Sequence, residues 1–73
     1  MYIIQEIQTN NGQTALLPAI TKSDKNGMES AFHSILASAA ISTVDVHTVV
    51  VVDEHGNMVK REYYEHLPQA ESA

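Results

Sequence analysis

The chain has 73 residues, with four Lys and Arg against nine Asp and Glu, and a formal charge of −5. Nucleic acid and anionic membrane surfaces are therefore expected to be poor partners, because the attraction both rely on has the wrong sign. It has no cysteine, which excludes disulfides, zinc–thiolate sites and thiol catalysis together.

A chain of this length makes one domain, expected over residues 1–66 with a flexible C-terminal tail over 67–73. Its stability should be roughly 4–11 kcal/mol, at about 0.05–0.15 kcal/mol per residue, and so thin a core makes self-association a reasonable expectation. The apolar start Met1-Tyr2-Ile3-Ile4 is interrupted by Gln5 and Glu6. It lacks the basic n-region and apolar h-region of a signal peptide. The longest apolar run elsewhere, Val49 to Val52, falls far short of the roughly 20 residues of a membrane helix. These readings imply a soluble, cytoplasmic protein.

Tyr2 to Thr9 is rich in β-branched and aromatic residues and leads into Asn10-Asn11-Gly12. Asn-Gly is the strongest short-range signal for a type I′ hairpin, since both central positions need positive φ. With Asn11-Gly12 as the loop, Asn10 faces Gln13, Ile7 faces Leu16 and Ile3 faces Ile20. That register gathers Ile3, Ile7, Leu16 and Ile20 on one face, yet Ile4 and Leu17 keep the other apolar too. Pro18 cannot donate a ladder hydrogen bond, so the second strand lies at an edge, is bulged, or ends there.

Thr21 to Gly27 supplies turn and capping chemistry, with Ser23 or Asp24 as N-cap. From Met28 the residues Ala31, Phe32, Ile35, Leu36, Ala39 and Ala40 continue one helical stripe. The helix should start near Lys25 and end at Ser42-Thr43. Val44 to Asp53 reads as a strand, and Met58 to Tyr64 as its return. A four-residue loop, Asp53 to Gly56, aligns Val44, Val46, Val50, Val52, Val59 and Tyr63 on one face, and is preferred because that face is more apolar. A three-residue loop with a bulge at Gly56 instead groups His47, Val49, Val51, Val59, Arg61 and Tyr63.

The expected fold is α+β: two β-hairpins flanking one helix, ββαββ, with an antiparallel sheet of about four strands and the helix on one face. One helix covers one face of a small sheet, so an apolar second face is left exposed. Such a face marks an interaction site. The interface residues expected there are Ile4, Leu17, Val49, Val51 and Tyr64.

Chemistry-bearing residues are sparse. The four histidines, His33, His47, His55 and His66, have neither helical nor strand chelate spacing. A site combining His47 with His33, Glu65 or another carboxylate at a dimer seam is the alternative reading, for a small ligand or a metal. Solvated or singly bonded histidines are the ordinary explanation. Asp53-Glu54 with Glu29 or Glu62 reads as surface charge, since nothing places them in a pocket. Ser30, Ser34, Ser38 and Ser42 are small residues flanking the apolar stripe, and no Gly-rich phosphate loop occurs. Accordingly no catalytic, cofactor-binding or metal-ligating residue is expected, and no cofactor.

The segments YIIQEIQT-NG-TALLP, ESAFHSILASAAIS and VDVHTVVVVDEHGNMVKREYYEH together resemble short uncharacterised proteins encoded in bacterial prophage and other mobile-element regions, near tail and lysis genes. The resemblance spans Tyr2 to His66, carries over no functional residue, and implies a phage-associated accessory or structural protein, in the cytoplasm or in a virion. Residues and resemblance together lead to a non-enzymatic interaction module, a homo-oligomer and most simply a dimer, with a protein partner and neither nucleic acid nor membrane.

Overall fold

A computed structural model of the chain describes residues 1–66; the tail expected over 67–73 lies outside the described residues. The first strand, β1 (Tyr2–Asn10), turns into β2 (Gln13–Leu16) through Asn11 and Gly12, whose φ angles are 54° and 77°. This is the positive-φ pair that a type I′ turn requires. Ile7 lies opposite Leu16 and Asn10 opposite Gln13, as expected.

The expected second strand is then split at Pro18. Leu17 donates its N–H to the Glu6 carbonyl (3.0 Å) and its own carbonyl accepts from the Gln5 side-chain amide. Pairing with β1 resumes in β3 (Ile20–Lys22), where Ile20 is opposite Ile4 and Thr21 opposite Ile3. The Ile3–Ile20 pair is thereby displaced by one residue, which moves Ile20 to the opposite face. Five strands result among the described residues, where about four were expected.

Asp24 caps the helix α1 (Lys25–Ala40), accepting from the Gly27 N–H at 3.2 Å. The apolar stripe is inward as expected: Met28, Phe32 and Ala39 are buried, Ala31, Ile35 and Leu36 are partly so, and only Ala40 is exposed.

β4 (Val46–Asp53) and β5 (Met58–Glu65) form the second hairpin. Its turn follows the three-residue register: Asp53 N–H bonds the Asn57 carbonyl at 3.0 Å, and Gly56 has φ 84°. A bulge then intervenes, with Val52 opposite Met58 but Val51 opposite Lys60. The added residue restores the parity of the four-residue reading, so Val46, Val50, Val52, Arg61 and Tyr63 do share a face, while Val59 sits at the bulge. Each reading of this hairpin holds for one part of it.

The sheet order is β2-β1-β4-β5, with β3 also on β1. The chain is thus α+β, with the helix on one face of an antiparallel sheet. Ile4 is opposite Val51 and Glu6 opposite Val49, so even residues of β1 share a face with odd residues of β4. Helix α1 covers this face: Ile4, Val49 and Val51 are 0% exposed and form the core with Met28 and Phe32. These three were expected to point outward. β3 and β4 are both antiparallel to β1 and hence parallel to each other. The connection β3–α1–β4 therefore falls under the handedness rule for crossovers. That rule constrains where the helix lies independently of the apolar count of each face.

Candidate functional site

The face turned away from α1 is built by alternation. Ile3 and Ile7 from β1 lie opposite Val52 and Thr48 of β4, Gln5 lies opposite Val50, and Thr48 lies opposite Tyr63 of β5. Leu16 of β2 extends the patch beside Ile7 and is 70% exposed; Tyr63 is 49% exposed. No described element covers this surface, since α1 packs on the other side. Its charges are Arg61, opposite Val50, and Glu65, opposite Val46. The face is therefore neutral in a chain of net charge −5.

The opposite end of the inner face holds a polar node. His47 is 3% exposed, and its Nδ1 lies 2.5 Å from Oε2 of Glu6, which also accepts from the Gln8 amide at 3.2 Å. With Glu6 ionised, Nδ1 carries the proton, because a carboxylate only accepts. Nε2 of His47 is buried and, among the described residues, has no hydrogen-bond partner.

His66 closes the node. Its N–H donates to the Asp45 carbonyl (2.6 Å), its Nε2 donates to the Ala39 carbonyl at the helix end (2.6 Å), and its ring stands edge-on to His47 and stacks on Tyr64. A carboxylate-oriented imidazole is the arrangement used for proton transfer, but that chemistry needs a reachable Nε2. A cleft of about 530 Å³ lies elsewhere, between Met1, Tyr2, Asp53, Glu54, His55 and Val59. The node works as a polar clamp joining β1, β4, the end of β5 and the end of α1.

Two carboxylates are held below their usual range. Glu29 is lowered by its hydrogen bond to Lys60 (2.8 Å) and by His33 (3.2 Å), while Lys60 also sits 4.5 Å from the Phe32 ring centre. Asp53 is lowered by the side chain and N–H of Asn57 and by the His55 N–H, which it accepts at the hairpin tip.

Of the residues expected at an interface, Ile4, Val49 and Val51 lie under the helix. Tyr64 is opposite His47 on the helix side at the sheet margin, and Leu17 is half-buried in the break between β2 and β3. The outward positions belong instead to their strand neighbours Ile3, Val50, Val52 and Tyr63. Within the chain His33 and His47 are not brought together: His33 is exposed on α1 with Glu29, whereas His47 is buried with Glu6. Among the described residues no group of three or more His, Cys, Asp or Glu is placed to hold a metal ion, and no helix is long and apolar enough to cross a membrane.

Sequence reasoning missed the Glu6–His47 pair. The available signal was one carboxylate and one imidazole interrupting two stripes that share a face; pairing them requires the β1–β4 register. Comparison of the chain with family models, curated proteins and solved structures finds no match.

Proposed function

We propose that the chain is a non-catalytic interaction module that works as a homo-oligomer, seating its outer sheet face on the same face of a second copy. The observation that carries this reading is the uncovered apolar surface around Ile3, Ile7, Val50, Val52 and Tyr63. Two further points favour a second copy as its occupant. First, the face is neutral, so two copies of an acidic chain can meet there without the repulsion their other surfaces carry. Second, strands of this length at about 3.4 Å per residue and 4.8 Å apart give roughly 500 Å² per copy, or about 1,000 Å² in all, the lower bound of a specific interface.

Such a module suits the accessory or structural role implied by the resemblance to prophage-encoded proteins. The test is sedimentation of the wild type and of Val50→Glu over a concentration series. Reversible self-association that Val50→Glu weakens by removing the face-to-face contact, with an unchanged circular dichroism spectrum, is the expected result. A wild type that stays monomeric at high micromolar concentration overturns the reading.

A further inference from the structure

The sheet ends at β5, which pairs with β4 and, among the described residues, with nothing along its other edge. An open edge of eight residues is a template for another strand, and its own sequence decides whether a second β5 fits. When a strand meets its copy antiparallel across a two-fold axis normal to the sheet, residues of one face must pair. The axis then passes beside a single residue, and few registers remain.

Centred on Lys60, Arg61 or Glu62, the pairing sets two like charges directly opposite each other, which is destabilising. Nearer the loop the turn cuts the ladder short, and beyond Tyr63 the strand runs out at Glu65. Centred on Tyr63, Arg61 lies opposite Glu65 twice, Glu62 opposite Tyr64 twice, and Tyr63 opposite itself. Opposite-charge and aromatic pairs of this kind are the favourable ones. Among the described residues neither Arg61 nor Glu65 takes part in an ion pair within its own chain.

We propose that β5 pairs antiparallel with β5 of a second copy in the register centred on Tyr63, continuing the sheet across a two-fold axis. This contact uses the edge and leaves the outer face open, so it is distinct from the face-to-face contact. The two can coexist in one assembly.

The absence of native cysteine permits a direct test by single-cysteine variants of the full chain. Directly opposed strand residues have Cα atoms about 4.5–5.5 Å apart, inside the range a disulfide spans, whereas diagonal ones exceed it. A mixture of Glu62→Cys with Tyr64→Cys should give the mixed disulfide dimer. Either variant alone should cross-link roughly tenfold more slowly. Both positions are on the helix side, out of reach of a face-to-face contact, which is read separately from Val50→Cys.

As a second measure, Glu65→Arg should weaken association, and the double variant Arg61→Glu/Glu65→Arg should restore it. Equal cross-linking of the mixture and of the single variants means random collision and overturns the proposal. So does an absence of mixed disulfide, and so does cross-linking that appears only when the chain is cut after His66, which would assign the edge to residues 67–73.

Discussion

The two faces of the sheet are made from the same strands and nearly the same residue types, yet one is the core and the other a surface that no described element covers. On the inner face Ile4, Val49 and Val51 lose all contact with solvent beneath Met28 and Phe32; on the outer face Ile3, Val50 and Val52 are only half-buried. The inner face holds a polar node at one end, where Nδ1 of His47 pairs with the Glu6 carboxylate. Among the described residues the polar contacts of the outer face are local ones, such as Thr9 with Thr14 at 3.0 Å. Apolar content alone does not decide which face is covered.

The comparison is broken most severely at the polar node. His47→Leu should cost about 1–3 kcal/mol in urea unfolding, because it leaves the part-buried Glu6 carboxylate without its Nδ1–H donor. Adding Glu6→Leu should recover most of that loss, and a double variant as unstable as the single one would show that the pair does more than satisfy itself. Next comes the cover of the inner face. Asp24→Ala removes the carboxylate that accepts from Gly27 and should lower stability by about 1 kcal/mol, with the loss seen as fraying of α1 in hydrogen exchange.

Matched conservative changes sharpen the contrast further. Ile4→Val should cost about 0.5–1.5 kcal/mol, whereas Ile3→Val, under conditions where the chain is dilute, should change unfolding far less. The smallest effect is that of pH. The folded values of Glu29 and Asp53 are lowered, so their contribution is complete above the ordinary carboxylate range and is lost as pH falls through their lowered values. Both groups are on the surface, so a shallow decline in melting temperature over that acidic window is expected. Lys60→Met and Asn57→Ala should each flatten it.

The helix was readable because its signals are local. The stripe from Met28 to Ala39 and the cap at Asp24 depend on residues within a few positions of each other. So was the first turn, where Asn11-Gly12 has a conformational requirement that few pairs meet. The grouping of Val46, Val50, Val52 and Tyr63 was also correct in parity. What pattern could not give was the face on which the helix lands, because that follows from the β3–α1–β4 connection over the whole sheet. Nor could it give the bulge beside Val52, which offsets the three-residue turn, or the step at Pro18, which sends Ile20 to the other face. The Glu6–His47 contact spans 41 residues, and nothing local in either strand announces it.

The most direct test of the account is the neighbouring pair Val49→Glu and Val50→Glu, each followed by circular dichroism and by light scattering on a size-exclusion column. Burying an unpaired carboxylate in place of Val49 should exceed the roughly 4–11 kcal/mol holding the chain folded, so Val49→Glu should be unfolded. Val50→Glu should keep the wild-type spectrum and, having lost the face-to-face contact, run at a lower mass than the oligomeric wild type. A folded Val49→Glu beside an unfolded Val50→Glu would contradict the assignment of the two faces, and a wild type with the monomer mass would contradict the outer face as a contact between copies.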